Sequence, residues 1–298
     1  MPSAGALICL ASAVAFGAMA IFGKLAYDDG ATVGTQLSVR FLLAAALFWA
    51  LVAATGAARN LRTLARRDVA LAFGLGAVGY SAQAGAYFVA LQRLDASLLS
   101  LLLYTFPAMV TVAAIALGRE RANPRTAASL VLASGGLFLV LAGAGAGALD
   151  PLGTLLGVSA AVIYTTYILT SAGVAQRLGP LVLSALVCTG AATTLTVGGA
   201  VMGDVRPGSV SAAGFGWLAG IAVVSTVGAV SLFFAGLRRV GPTTASILST
   251  AEPLTTVVLA FLAFGESLGA VQLAGGALIL GAVLVLSAPA RRPAYAVG

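Results

Sequence analysis

Two charged side chains lie well away from the ends of apolar stretches of the sequence, where an ionisable group is costly and usually functional. Glu252 is the deeper of the two, well inside the apolar run 242–263. A carboxyl group at this position could bind the amine of a small molecule or carry protons. It could equally be a neutral glutamic acid, or one that is satisfied by Arg40 or by a hydroxyl group.

Arg40 is the second such residue, about seven residues into the apolar run 33–54. Its guanidinium could form two parallel hydrogen bonds with a substrate carboxylate. It could also pair with Asp28 or Asp29 in the preceding connector, or extend to the membrane interface. The sequence leaves these alternatives open.

Polar aromatic side chains recur at helical spacing. Tyr80, Gln83 and Tyr87 share one face of a helix, because they follow one another at intervals of three and four residues. The same spacing predicts stripes on the fourth run, at Tyr104, Ala108 and Thr111, and on the sixth run, at Tyr164 and Tyr167. Aromatic bodies with polar tips suit a cavity that binds small molecules. Tyr87 and Tyr104 could instead be anchors at the membrane interface.

Pro107 and Pro253 are expected in the middle of the fourth and ninth apolar runs. Proline donates no backbone hydrogen bond, so the carbonyls of Leu103 and Ser249 lose their usual partners. At membrane depth such a carbonyl needs protein, water or substrate as its partner. The pair predicts two hinges, with simple helix bending as the alternative.

Several chemistries are disfavoured by the composition. The chain has no histidine and only two cysteines, Cys9 and Cys188, both in apolar runs. We therefore expect no catalytic residue, no metal site and no cofactor. The match to G-x-G-x-x-G at Gly74–Gly79 lies inside an apolar run, so it indicates close helix packing and not a dinucleotide site. The basic residues are scattered over short connectors, which argues against a nucleic-acid partner.

The elements that must position these residues are membrane helices. Of the 298 residues 60% are apolar and only 8% are charged, against about 25% charged in soluble domains. A membrane helix needs roughly 20 apolar residues. The sequence predicts an all-α integral membrane protein with ten such helices, at 3–26, 33–54, 69–92, 97–117, 124–143, 151–173, 180–201, 212–235, 242–263 and 269–288.

Basic residues predict the orientation, because cytoplasmic connectors are enriched in them. With the N-terminus inside, the outer connectors hold only Lys24, Arg93 and Arg206. The inner connectors hold Arg59, Arg62, Arg66, Arg67, Arg119, Arg121, Arg125, Arg177, Arg238, Arg239, Arg291 and Arg292. Both termini are therefore expected in the cytoplasm.

The chain also matches itself at an offset of 146 residues. The rare residue types carry this match, which pairs Pro107 with Pro253 and Glu120 with Glu266. It predicts a five-helix repeat at 1–143, a linker at 144–150 and a second repeat at 151–298. Since five is odd, the repeats are inverted around a central cavity, as in secondary transporters. Glu120 and Glu266, at helix ends, are expected to have structural roles.

The stretch from Ala251 through Glu266 to Gly281 resembles the signature of the EamA family, in the drug/metabolite transporter superfamily. Its first-half equivalent includes Tyr87, Ser97, Pro107 and Glu120. The chain is most similar to the YddG-type amino-acid exporters. The resemblance implies a basket of helices around a central cavity, a place in a bacterial inner membrane, and export of aromatic or aliphatic amino acids.

Three functions follow in order of preference. The first is a secondary exporter of amino acids or related metabolites, with Tyr80, Gln83, Tyr87, Tyr104, Tyr164, Tyr167, Arg40 and Glu252 in its substrate site. The second is an exporter of another metabolite or drug class on the same fold. The third is a membrane sensor without transport, which the short connectors disfavour. The expected partners are the bilayer and a small molecule, with a monomer as the working expectation.

Overall fold

A computed structural model describes residues 4–57, 64–118, 123–143 and 149–287, and within these ranges the chain forms helices and no strand. The predicted linker residues 144–148 lie outside the described residues. So do Glu120 and the basic residues Arg59, Arg62, Arg119, Arg121, Arg291 and Arg292.

The first predicted half contains eight helices and one π-helical segment. They are α1 (Ala4–Gly17), α2 (Met19–Asp28), α3 (Val33–Ala54), α4 (Arg66–Gly74), the π segment Leu75–Tyr80, α5 (Ser81–Leu91), α6 (Ala96–Leu103), α7 (Phe106–Ala116) and α8 (Pro124–Gly143).

The second predicted half contains six helices, a second π-helical segment and a 3₁₀ turn. They are α9 (Pro151–Leu178), α10 (Pro180–Val201), the turn Pro207–Ser209, α11 (Ala212–Ala222), the π segment Val223–Gly228, α12 (Ala229–Ser249), α13 (Ala251–Phe264) and α14 (Ala270–Ser287).

Eight helical stretches among the described residues are long and apolar enough to cross a membrane. Two further apolar helices are shorter, at Ala251–Phe264 and Ala270–Val285. The all-helical class is therefore confirmed for the described residues. The count of ten spans stays a prediction.

Breaks in the helices fall where the sequence predicted continuous runs. The first run divides at Ala18, and the fourth divides at Tyr104 and Thr105. The prediction that the prolines lie mid-helix was wrong, since Pro107 and Pro253 lie in the first turns of α7 and α13. Proline is tolerated in the first turn of a helix, where its missing N–H group would have no intrahelical partner, but in a helix interior it removes a hydrogen bond and clashes with the preceding turn.

One predicted connector was also wrong. Residues 236–241, expected between the eighth and ninth runs, are helical within α12. Two arginines mark a membrane boundary by their charge, but arginine is a good helix former and does not end a helix. The ninth run is accordingly divided between the end of α12 and α13.

Small residues let helices from the two predicted halves approach closely. A Cβ atom on Gly76 would lie 2.0 Å from the Val187 carbonyl oxygen of α10, which confirms close packing at this member of the G-x-G-x-x-G match. Gly136 of α8 and Gly275 of α14 face each other, and a Cβ atom on either one would lie 2.6 Å from the other's carbonyl oxygen. These contacts join the π segment Leu75–Tyr80 to α10, and α8 to α14.

Glu266, just after α13, forms hydrogen bonds and an ion pair with α6 and α2 at one end of the bundle. Gly265 has a φ of +68°, a left-handed conformation that ends α13 and reverses the chain. Glu266 then accepts hydrogen bonds from the backbone N–H groups of Ala96 and Ser97 at the start of α6, at 3.2 and 3.1 Å. It also pairs with Lys24 of α2 at 2.7 Å. The structural role expected for Glu266 is confirmed.

The charge of Glu266 is well stabilised in this position. Burial raises the pKa of Glu266, but hydrogen bonds from Lys24, Ser97 and Ala96 lower that pKa by more, so it lies below the usual 4.5. A carboxyl with a lowered pKa stabilises the fold above its unfolded-state pKa. That contribution is lost as the pH falls through the folded-state value.

We predict that Glu266→Gln lowers the free energy of unfolding at neutral pH by about 1.5–3 kcal/mol, since it removes charge-assisted hydrogen bonds to a buried group. Unfolding in detergent measures this loss. Asp95→Asn is the control, because Asp95 is 66% exposed and 3.9 Å from the same Lys24. Equal stability of the two variants would contradict the role given to Glu266.

Candidate functional site

A cavity of about 760 Å³, counting its space open to the outside, lies where the helix breaks meet. It is bounded by the junction of α1 and α2, by α3, α5 and α9, by the turn between α6 and α7, and by the start of α13. Its lining residues are Phe16, Met19, Arg40, Tyr80, Gln83, Ala84, Tyr87, Phe88, Ser100, Leu103, Tyr104, Phe106, Tyr164, Glu252, Pro253 and Thr256.

Seven of the eight predicted substrate-site residues line this one cavity. They are Arg40, Tyr80, Gln83, Tyr87, Tyr104, Tyr164 and Glu252. The eighth, Tyr167, is outside the lining, with its ring centroid 5.4 Å from that of Tyr80. Of the two prolines, Pro253 lines the cavity and Pro107 does not. Tyr87 and Tyr104 are buried in the protein, so the interface-anchor alternative does not hold for them.

The sequence interpretation missed mainly apolar lining residues, among them Phe16, Phe88 and Phe106. A signal for Phe106 was present, since it is the repeat equivalent of Glu252. Phe16 aligns with Tyr164 at the nearby offset of 148 residues. Both members of each pair line the cavity, so the repeat offset could have found them.

Arg40 is fully enclosed by protein. The residue is only 3% exposed, and its Nε donates a hydrogen bond to Thr226 Oγ1 at 3.1 Å. The guanidinium carbon lies 4.8 Å from the ring centroid of Phe41 and 5.4 Å from that of Phe88. Such stacking suits a planar guanidinium more than an ammonium.

No carboxylate of the described residues lies within 4.0 Å of the Arg40 nitrogens. Pairing with Asp29 is therefore wrong, and Asp29 instead accepts hydrogen bonds from Ser211 and Trp217. Pairing with Asp28 is not observed either. Extension of Arg40 to the interface is excluded by its burial.

The π segment of the eighth run positions the partner of Arg40. Thr226 donates its hydroxyl proton to the Ile221 carbonyl five residues earlier, at 2.9 Å. Since a hydroxyl has one proton, its lone pairs remain free to accept from Arg40. The widened π turn thus holds Thr226 as an acceptor. Ser81 makes the same type of bond to Gly76 beside the first π segment, also at 2.9 Å.

Glu252 lies in the first turn of α13, half-buried at the edge of the cavity. The positive end of the helix dipole favours a carboxylate there. Oε2 of Glu252 is 3.3 Å from the Tyr104 hydroxyl. Among the described side chains no cation lies within 4.0 Å of the carboxyl group, so Arg40 does not satisfy it directly.

The carbonyl freed by Pro253 has a partner from the other half of the chain. The Tyr104 hydroxyl donates to the Ser249 carbonyl oxygen at 2.5 Å. Thr256 of the same helix donates to the Gly17 carbonyl at the first break, at 3.0 Å. These bonds join the breaks of the first, fourth and ninth runs around the cavity.

Aromatic rings form a continuous wall on one side of the cavity. The ring centroids of Phe106 and Tyr164 are 4.8 Å apart, and those of Tyr104 and Phe106 are 5.8 Å apart. Tyr167 extends the wall to Tyr80. Such offset and edge contacts hold rings in fixed orientations. The cavity therefore combines one cation, one carboxyl group and a surface of aromatic rings in contact with one another.

A family model described as the EamA-like transporter family matches residues 3–142 and 151–288. An uncharacterized transporter, YcbK, of Bacillus subtilis is 27% identical over 279 residues, which cover 92% of this chain and 89% of that protein. An uncharacterized transporter of Archaeoglobus fulgidus is 29% identical over 274 residues, covering 92% and 93%.

A solved crystal structure aligns with this chain at a TM-score of 0.67 and 20% identity. The alignment covers 96% of this chain and 97% of the other. At this identity the similarity establishes a shared fold.

We predict that Pro253→Ala slows turnover of the protein more than it weakens ligand binding. Alanine restores an N–H group that can bond to Ser249, so α12 and α13 can join without the break. Turnover and ligand affinity measured on the same preparation separate the two effects. Pro180→Ala is the control, because Pro180 also lies in the first turn of a helix. Equal losses in turnover and affinity would count against a hinge.

Proposed function

Since the chain belongs to the EamA-like transporter family, we propose that it is a secondary transporter that exports amino acids or related small metabolites by alternating access. One observation carries the choice of substrate. Arg40 and Glu252 line the same cavity, and among the described residues neither has an oppositely charged partner within 4.0 Å.

An amino acid supplies the two charges that this pair lacks. Its carboxylate complements the guanidinium of Arg40, and its ammonium group complements the carboxylate of Glu252. Charges buried without partners are costly in a membrane protein, which favours a ligand that neutralises both. The side chain of the amino acid would lie against the rings of Tyr80, Tyr87 and Tyr164. This aromatic surface favours aromatic or large aliphatic substrates.

We further propose ten membrane helices in two inverted repeats. Support comes from features that recur at nearly the same offset as the sequence repeat. The π segments Leu75–Tyr80 and Val223–Gly228 are one such pair. The break at Tyr104 and Thr105 and the break before Ala251 are another. Each break directly precedes a proline-containing first turn, which supports paired hinges at Pro107 and Pro253.

The proposed orientation places both termini in the cytoplasm of a bacterial cell, with the chain in the inner membrane. The basic residues of the connectors support this orientation, and ion pairs between helix ends support the grouping of the connectors onto two sides. Asp68 and Arg177 pair at 2.7 Å, and both are assigned to the inner side. Arg93 and Asp150 pair at 3.4 Å, and both are assigned to the outer side. Lys24 and Glu266 likewise meet on the outer side.

Other cargoes fit the cavity less well. A sugar nucleotide would require several basic groups for its phosphates, and Arg40 is the only basic residue in the cavity lining of the described chain. A cationic drug would leave Arg40 without a counter-charge. A membrane sensor without transport would not need an enclosed cavity with two unpaired charges.

Efflux from proteoliposomes tests the proposal directly. Vesicles are preloaded with labelled L-amino acids, and efflux is followed with and without a pH gradient. Saturable efflux of a subset of amino acids is the expected result. Well-folded protein that moves no amino acid would withdraw the substrate assignment. Transport of nucleotide sugars in the same assay would support the second alternative.

We predict that Glu252→Gln reduces amino-acid efflux about tenfold or more without disturbing folding, because the amide cannot neutralise the substrate ammonium. The matched control is Asp95→Asn, which removes an exposed carboxylate outside the cavity. Gel filtration and thermal unfolding verify the fold. Unchanged efflux would reduce Glu252 to a structural role.

We predict that Arg40→Lys weakens substrate binding about tenfold or more, although it keeps the positive charge. Lysine cannot bind a carboxylate through two parallel hydrogen bonds or stack in the same way on Phe41 and Phe88. Arg93→Lys is the control, since Arg93 pairs with Asp150 away from the cavity. Equal affinities of the two variants would argue against contact between Arg40 and the substrate.

A further inference from the structure

We infer that Tyr104 is a positioning residue. Through its hydroxyl group, the ionisation state of Glu252 changes the stability of the break between α12 and α13. Its hydroxyl faces two acceptors of the other half of the chain, the Ser249 carbonyl at 2.5 Å and Glu252 Oε2 at 3.3 Å. A tyrosine hydroxyl has a single proton, so it can donate to one of them at a time.

The shorter contact defines one of two states. In it Tyr104 donates to Ser249, and a protonated Glu252 can donate to the Tyr104 oxygen. All three groups are then satisfied. When Glu252 is ionised, its carboxylate competes for the Tyr104 proton, and charge-assisted hydrogen bonds are roughly twice as strong as neutral ones. The proton then turns towards Glu252.

The second state takes the Tyr104 donor away from the Ser249 carbonyl. Pro253 cannot supply one, because it has no N–H group. A carbonyl without a partner is costly inside a membrane protein, so the junction of α12 and α13 is destabilised in this state. Ionisation of Glu252 thus destabilises the helix break through the hydroxyl group of Tyr104.

Other charged and titratable groups line the cavity with Glu252 but donate no hydrogen bond to the Ser249 carbonyl. Arg40 of α3, Tyr80 and Tyr87 of the third run and Tyr164 of α9 line the same cavity. α1 presents Phe16, and α2 presents Met19 to the cavity while its Lys24 is held by Glu266 at the far end of α13. Among the described side chains, Tyr104 alone donates a hydrogen bond to the Ser249 carbonyl.

The inference extends the proposed function and rests on it for one step. A substrate ammonium bound to Glu252 replaces the proton as the partner of the carboxylate. Tyr104 is then free to return to Ser249. A proton and an amine would therefore have the same effect on the junction, and each would exclude the other from Glu252.

The test follows the junction without substrate, so it stands apart from the identity of the cargo. Spin labels are placed at Arg238 of α12 and at Leu262 of α13, which are both exposed. The distance between the two labels is measured by pulsed electron paramagnetic resonance over a series of pH values. The wild-type separation is expected to change as Glu252 titrates. Glu252→Gln is expected to abolish that change.

Tyr104→Phe is the decisive variant. It is expected to lose the pH-dependent change in separation, although Glu252 is still present and still titrates. Tyr164→Phe is the matched control, since Tyr164 lines the cavity with no hydrogen bond to Ser249, and it is expected to keep the change. Pro253→Ala supplies Ser249 with an N–H donor and is expected to lose the change as well.

Two results would overturn the inference. One is a wild-type separation that does not depend on pH. The other is a Tyr104→Phe variant that keeps the wild-type change. Failure of amino-acid efflux would not affect either outcome, because the proposed function and the proton link are measured in different assays.

Discussion

An apolar helix bundle cannot solvate an ion, and this constraint sets the importance of Arg40 and Glu252. Arg40 is enclosed by Phe41, Phe88 and the Thr226 hydroxyl, none of which carries a negative charge. Glu252 has a single hydroxyl contact and the end of a helix beside it. A bundle that keeps two opposite charges apart at one cavity is suited to a ligand that carries both complements.

The helix breaks make this arrangement possible. Unbroken helices would bond all of their carbonyls internally and present only side chains to the cavity. The breaks beside Tyr104 and before Ala251 expose backbone oxygens and place two first turns at the cavity. The bonds from Thr256 to Gly17 and from Tyr104 to Ser249 then join the ends. The same elements that build the site are therefore those that a transport cycle would move.

Much of the site could be predicted from the sequence, because depth within an apolar run and helical spacing are local properties. They identified Arg40, Glu252 and the face shared by Tyr80, Gln83 and Tyr87. The partners of these residues could not be predicted in the same way. Asp29 is near Arg40 in sequence, but the side chain of Arg40 points into the bundle, where Thr226 of a distant π segment meets it.

The helix boundaries show a similar limit. Pro107 and Pro253 were expected to bend continuous helices, but each lies just after a break, in the first turn of a new helix. The run 236–241 carries the charges of a connector and is helical nonetheless. Charged side chains indicate where a segment lies relative to the membrane, whereas the end of a helix depends on backbone hydrogen bonds.

In the proposed function, one cavity recognises both charged ends of an amino acid. Calorimetric binding of L-phenylalanine, its amide and 3-phenylpropanoic acid to the wild-type protein tests it most directly. The account predicts that each analogue, lacking one charged end, binds about tenfold or more weakly than the amino acid. Binding of all three with equal affinity would contradict the account, since Arg40 and Glu252 would then contribute nothing to recognition.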